Sequence, residues 1–339
     1  MPCPYGDGRS NIMTSLNQNH VDAYTTRISS VRLNEPMSKH TTFRLGGSAR
    51  LYVVATSSEQ LLQAVEAALE LEIPWVVIGG GTNILVADEG FEGVVIQATN
   101  QTMKIEGPSV AVESGAISAL VARKTVEAGL AGFEWAVGLP GTIGGAIYGD
   151  AGCYGGEMRD AITMVDVYDV ARRERHQLTN KECRFDYRDS MFKHERFVIL
   201  GCTIKLEHAA DVDVSRAKME AILHGRKDEQ PLGASSAGCV FKNVDYQDEH
   251  LLDVLRSKVE VPVSMPAMKR IAAGWLIDQA GLKGLQIGEF RVSEKHGNFL
   301  LNTGHGSAKD VMELITQIKA QVQEQFAIEL HEEVQLLGF

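Results

Sequence analysis

Residues 138–158 read GLPGTIGGAIYGDAGCYGGEM, with eight glycines among 21 positions and only two charges. A flexible linker would be rich in polar residues, and a core strand does not tolerate so many missing side chains. Bare backbone of this kind serves where a chain must approach something more closely than a Cβ permits. Gly141, Gly144 and Gly145 surround Thr142, whose hydroxyl could bond a phosphate, and Gly149, Gly152, Gly155 and Gly156 extend the open backbone. A second stretch, VIGGGTNILV at 77–86, sets three glycines and a Thr-Asn pair straight after a β-branched run. Consecutive backbone N–H groups in such a turn make a concave anion nest. On its own it reads equally well as a tight strand–strand turn. No helix pattern follows it, so it is not the Rossmann fingerprint. Two unrelated glycine loops in one chain point to one long ligand with a diphosphate in its middle, a dinucleotide.

Working outward, Leu51–Ala55 reads as a strand, and Ser57-x-x-Gln60 is a capping box opening a helix with Leu61, Leu62, Val65, Ala68 and Leu69 on one stripe. IPWVVI at 73–78 is the next strand, so the first loop closes a strand–helix–strand unit. SVAVES at 109–114 precedes a helix from about Ser118 to Ala128, with Gly129 as its C′ residue. ITMVDVYDV and RFVILGCTIKL read as strands, which ends simple alternation after residue 160. A helix is expected near 214–225, a long one behind the cap Ser307-x-x-Asp310, and a final strand in EVQLLGF. The class is α+β rather than a plain doubly wound sheet.

The 339 residues carry a net charge of −11 and no basic block, which argues against a nucleic-acid partner. No apolar run approaches the roughly 20 residues that span a bilayer, so no membrane association is expected. Residues 1–20 have neither a basic start nor an apolar core and read as a loosely ordered extension without a secretory signal. The five cysteines, Cys3, Cys153, Cys183, Cys202 and Cys239, lack close pairing, so neither disulfides nor a metal site is expected and a cytoplasmic setting is the default.

GGGTN, GLPGTIGGA, YRDSMFK, SSAGCVFKN, AAGWLIDQAGLKG and VSEKHGNFLLN occur in that order. Together they resemble the UDP-N-acetylenolpyruvoylglucosamine reductase (MurB) family, over about residues 40–339. The two glycine motifs alone would indicate only the wider FAD-binding fold of the vanillyl-alcohol oxidase and p-cresol methylhydroxylase type. The resemblance implies two α+β FAD-binding subdomains, 33–100 and 101–212, with 326–339 returning to the first. It also implies a C-terminal α+β substrate-binding domain at 213–325, behind an N-terminal extension of residues 1–32. Tightly bound, non-covalent FAD, NADPH as hydride donor and UDP-N-acetylglucosamine enolpyruvate as substrate are expected, in a monomer. The FAD contacts implied are Gly79, Gly80, Gly81, Thr82, Asn83 and Ile84 in the first loop. In the second they are Pro140, Gly141, Thr142, Gly144 and Gly145.

The implied reaction adds hydride to the terminal carbon of an enolpyruvyl ether and a proton to the other vinyl carbon. The family's proton donor is usually a serine, and that position is Cys239 here. A thiol, with an ordinary pKa of about 8.5, is a stronger acid than an alcohol and is still protonated at neutral pH. Read without the family, Cys239 would be a buried structural cysteine. Arg188 matches the arginine that holds the substrate carboxylate and enolate, a role suited to a planar fork. Its structural alternative is an ion pair with Asp189 or Glu182. Glu333 matches the C-terminal carboxylate, with Glu332 as runner-up because the local sequence LHEEV departs from the usual LEPEV. Tyr187, Lys242, Asn243 and His296 are expected substrate contacts. Asp150 and Val244 stand where the family usually has Asn and Pro. The tyrosine lid of one subclass is missing, whereas the insert at 245–270 resembles the other. Two further readings stay open: an oxidase or dehydrogenase of the same fold acting on an alcohol or hydroxy acid, and a non-catalytic protein that binds FAD or a nucleotide sugar.

Overall fold

The computed structural model describes residues 16–246, 250–262 and 269–339. The chain divides into two units: residues up to Pro36 with Ser48–Gly81 and Phe91–Asp228, and Met37–Gly47 with Thr82–Gly90 and Glu229–Phe339.

The first unit begins with a four-stranded sheet ordered Arg32–Pro36, Ser48–Ala55, Phe91–Ala98, Trp75–Ile78; the first pair is antiparallel and the others parallel. Its parallel part follows from the strand–helix–strand pattern, since the helix Ser58–Glu70 carries the chain back across the sheet. Ser57 caps that helix by accepting from the Gln60 N–H. The return half of the box is shifted by one residue: the Gln60 side chain accepts from the Thr56 N–H at 2.9 Å. Leu61, Val65 and Ala68 bury their stripe against Leu51, Val53 and Ile96.

The expected loose extension is corrected here. Residues Gln18–Arg27 form a helix, capped by Asn17, with Val21 and Tyr24 buried. The Tyr24 hydroxyl donates to the Ala64 carbonyl at 3.0 Å. Two inward residues three apart make a stripe too narrow to stand out of a polar segment. Its helicity rests on packing rather than on pattern. Residues 1–15 lie outside the described residues.

The second sheet of this unit is five-stranded and wholly antiparallel, in the order Glu174–Thr179, Ile162–Asp169, Phe197–Lys205, Ser109–Glu113, Met103–Glu106. Antiparallel neighbours need no crossover helix, which is why helical pattern is sparse after residue 160. Its own core gathers Val110, Val112, Val165, Ile204, Ile147 and Trp135.

The second unit packs around the helix Ala308–Phe326, whose Ser307/Asp310 capping box is complete. Val311, Leu314, Ile315 and Ile318 on it meet Phe241, Leu276 and Phe290. Phe43 and Leu45, and Leu85 just after the first glycine loop, bury their side chains in this core. The strand Gln335–Leu337 pairs in parallel with Ile84–Val86. Among the described residues, no helix is long and apolar enough to cross a membrane, and no group of His, Cys, Asp and Glu is placed to hold a metal ion.

Candidate active site

In the first unit the two glycine loops meet. Gly79 follows the strand Trp75–Ile78, and a Cβ added there would stand 2.2 Å from Thr142 Oγ1. Thr142 is the N-cap of the short helix Ile143–Tyr148, and its Oγ1 accepts from the Gly145 N–H at 3.5 Å. The Ile143 and Gly144 amides donate to the Ala116 and Ser114 carbonyls at 2.9 and 2.7 Å. This second loop is therefore not a donor cradle at a helix end, and what it leaves to a diphosphate is the bare backbone at Gly141. A Cβ at Gly79 would meet Thr142 itself, so this glycine lets the two loops close on each other, and the bare backbone at Gly141 is what fits an FAD.

Several of the opening glycines answer to the protein itself. Added Cβ atoms at Gly144, Gly152 and Gly156 would lie 2.9 Å from Ser114 Cβ, 2.5 Å from Glu157 Cγ and 2.3 Å from Trp135 Cδ1. Gly141, at φ +95°, takes a conformation that suits glycine alone, and its carbonyl accepts from the Ser118 N–H.

The same stretch holds Arg188. Asp186 and Asp189 exchange backbone hydrogen bonds of 3.0 and 2.9 Å, which places Tyr187 and Arg188 at the tip of a tight turn. Arg188 sits at φ +54°, a left-handed conformation costing a non-glycine residue about 1 kcal/mol. Such strain persists where surrounding contacts fix it, commonly at functional sites. Arg188 Nη2 donates to the Gly152 carbonyl at 2.9 Å and Nη1 to that of Asp150 at 3.5 Å. Lys193 Nζ donates to the Arg188 carbonyl at 2.6 Å. The guanidinium lies 5.3 Å from the Tyr187 ring centre. The carboxylates that offered a structural explanation have other partners: Asp189 binds His194 and the Ser190 N–H, and Glu182 accepts from Thr179.

Asp150 is fully buried at φ +39°. Its Oδ1 accepts from the Arg159 N–H at 2.9 Å, while Oδ2 is 3.5 Å from Arg159 Nε with no hydrogen bond. Burial outweighs the arginine and pushes the carboxyl up to about 6.

In the second unit a short run, Cys239–Lys242, lies between two others. Cys239 bridges Phe299 on one side and Phe241 bridges Glu332 on the other. The Val240 N–H donates to the Asn298 carbonyl at 2.9 Å, and the Glu333 and Lys242 N–H groups donate to the Val240 and His331 carbonyls at 2.7 and 2.9 Å. Cys239, Lys242 and Glu333 thus hang from one three-stranded arrangement. Gly238, at φ +81°, turns the chain into it. Asn83, expected at the flavin, donates to the Glu333 carbonyl at 3.2 Å and accepts from the Gln335 N–H. Thr82 and Ile84 flank it, in this unit rather than with Gly79, Gly80 and Gly81. Glu332 pairs with Lys319 at 2.8 Å.

Asn243 uses its Oδ1 to accept from the Ala273 N–H at 3.2 Å, at the start of the helix Ala273–Gln279. His296 packs edge-on against Phe299, at 4.9 Å between ring centres, and its Nδ1 accepts from the Asn298 N–H. Burial lowers its pKa, which favours the neutral ring. Sequence reasoning did not single out Lys193 or Asn298, and it read Gly152 only as open backbone; the parts of Gly152 and Asn298 depend on partners far along the chain. Positions 247–249 and 263–268 of the insert lie outside the described residues.

Comparison with known proteins identifies the family. Residues 49–176 match an FAD binding domain, and residues 230–337 match the C-terminal domain of UDP-N-acetylenolpyruvoylglucosamine reductase. Together they define an FAD-dependent oxidoreductase. The reductase of that name from Caldanaerobacter subterraneus subsp. tengcongensis is 36% identical over 307 residues, covering 90% of this chain and 93% of its own. That from Bacillus subtilis is 34% identical over 315 residues, covering 92% and 95%. The crystal structure of the Thermus caldophilus reductase matches with a TM-score of 0.71 and 31% identity over 91% of this chain and 98% of that one. The chain belongs to the UDP-N-acetylenolpyruvoylglucosamine reductase family, whose place is in peptidoglycan synthesis.

Proposed function

We propose that this protein reduces UDP-N-acetylglucosamine enolpyruvate to UDP-N-acetylmuramate at the expense of NADPH, with Cys239 as proton donor. The observation that carries the reading is the common mounting of Cys239, Lys242 and Glu333 on one short three-stranded arrangement within the reductase C-terminal domain. Bound at the glycine loops, FAD supplies the hydride that enters the terminal vinyl carbon. The residues of this chain supply the rest.

As hydride adds to that carbon, electron density passes to the carboxylate side as an enolate, which requires positive charge held in place beforehand. Arg188 answers this need. Its guanidinium is oriented by the Gly152 and Asp150 carbonyls and its backbone by Lys193, so little reorganisation accompanies charge development. Cys239 donates its S–H proton to the other vinyl carbon, and the thiolate is reprotonated from solvent. Glu333, whose N–H is bonded to the Val240 carbonyl beside Cys239, is the assisting carboxylate, with Glu332, paired with Lys319, as the alternative. Tyr187, Lys242, Asn243 and His296 hold the nucleotide sugar, His296 as a neutral imidazole.

The test starts from purified protein, whose flavin spectrum is recorded before NADPH oxidation is followed with and without the enolpyruvyl substrate. Cys239→Ala should leave flavin reduction by NADPH nearly intact and abolish turnover, whereas Cys239→Ser should keep much of it. Wild-type turnover in Cys239→Ala would refute the donor assignment. A flavin reduced by NADPH but reoxidised only by oxygen would point to an oxidase instead.

A further inference from the structure

Asn298 is 2% exposed and makes an unusual set of bonds. Its Oδ1 accepts from the Phe241 N–H at 2.9 Å and its Nδ2 donates to the Phe241 carbonyl at 2.8 Å. Its main-chain carbonyl accepts from the Val240 N–H at 2.9 Å, and its N–H donates to His296 Nδ1 at 3.3 Å. Main-chain pairing on this side of the run is the bridge between Cys239 and Phe299. Beyond it, the carboxamide of Asn298 takes the place of a peptide unit, presenting one donor and one acceptor to both backbone groups of Phe241. Among side chains of this size, only a carboxamide offers that pair at neutral pH. On the other side, the same run carries the Glu333 amide on the Val240 carbonyl.

We infer that Asn298 is a positioning residue for the proton-transfer step, holding the Cys239 segment in register between Phe299 and Glu333. The inference rests on the reading of Cys239 as donor, yet the positioning itself can be measured apart from turnover. Phe241 is buried, so loss of the carboxamide leaves its N–H and carbonyl without partners and loosens the segment at the residues next to Cys239. A displacement of about 1 Å in a reacting group costs about 10²-fold in rate.

The experiment uses the flavin-loaded full chain, with Asn298→Ala, Asn298→Asp and, as a control for a buried asparagine of the first unit, Asn100→Ala. Alkylation of Cys239 by iodoacetamide, followed by peptide mass mapping, reports the order of the segment. Flavin reduction by NADPH and reoxidation by the enolpyruvyl substrate are timed separately.

In Asn298→Ala, alkylation should quicken several-fold and reoxidation slow by about 10²-fold, with flavin reduction near wild type. Asn100→Ala should lower thermal stability without changing Cys239 alkylation. In Asn298→Asp, the carboxylate cannot donate to the Phe241 carbonyl, but the protonated acid can. Reoxidation relative to wild type should therefore recover as pH falls, and this keeps the test open if Asn298→Ala does not fold. Wild-type alkylation and reoxidation in a folded Asn298 variant, or no acid recovery in Asn298→Asp, overturns the inference. Faster alkylation with undiminished turnover, in a protein whose Cys239→Ala variant also turns over, supports the positioning and refutes the donor reading.

Discussion

The glycine loops of the first unit and the Cys239 run of the second solve opposite problems. At Gly79 the structure depends on an atom that is missing: a single added carbon would meet Thr142 Oγ1 at 2.2 Å. At Gly238, one residue before Cys239, an added Cβ meets nothing within 4 Å, and what matters is which side chains the following backbone presents. One place is made by removing a side chain so that two loops close on each other, the other by mounting side chains on a paired backbone. A motif of glycines is therefore visible in sequence, whereas a mount is visible only through its hydrogen bonds.

The largest effect that tests this contrast is expected from Gly79→Ala. It should purify with less than about a tenth of the wild-type flavin absorbance, because the added Cβ would push the two loops apart at Thr142, and adding Thr142→Ala should restore part of it. Full flavin occupancy in the single variant would break the comparison at its first term. Arg188→Lys comes next. A lysine cannot span the Gly152 and Asp150 carbonyls or present a planar fork, so substrate-dependent reoxidation should fall by about 10²-fold while flavin stays bound; equal rates would deny the guanidinium its role.

Asp150→Asn sharpens the contrast through pH. The folded-state pKa is raised from 3.8 to about 6, so folding favours the protonated acid. That preference holds fully below pH 4 and is lost as pH rises through 6, leaving a buried charge that destabilises the protein at pH 8. The asparagine variant should match wild type at pH 4 and exceed it at pH 8, by about 1–3 kcal/mol in urea unfolding. A gain that is the same at both pH values would assign it to packing instead. Smallest is Gly238→Ala, where only backbone strain at φ +81° opposes the methyl group. A loss of about 1–2 kcal/mol, with flavin content unchanged, is expected. Flavin loss there would mean that both glycine types do the same work.

Much of this protein is legible in its sequence. The stripe Leu61, Leu62, Val65 and Ala68, the box at Ser307 and Asp310, and the C′ Gly129 at φ +77° follow from local periodicity and capping, which involve residues within a turn or two. The helix at 18–27 was not legible, because Val21 and Tyr24 are a weak signal until Ala64 and its neighbours receive them. Cys239, Arg188 and Glu333 could be singled out only by resemblance. Nothing in their own neighbourhoods distinguishes them from a core thiol and two surface charges.

The sequence by itself determined the mixed α+β class, the two glycine loops and the family, since each rests on residue types in a fixed linear order. Tertiary structure decided the rest: that Gly144, Gly152 and Gly156 clear space for Ser114, Glu157 and Trp135, that the Gly152 carbonyl orients Arg188, and that Asn298 completes the bonding of Phe241. The physical reason is that these contacts join backbone to residues mostly tens of positions away. Every residue carries the same N–H and carbonyl, so no pattern of side chains announces which of them will be partners.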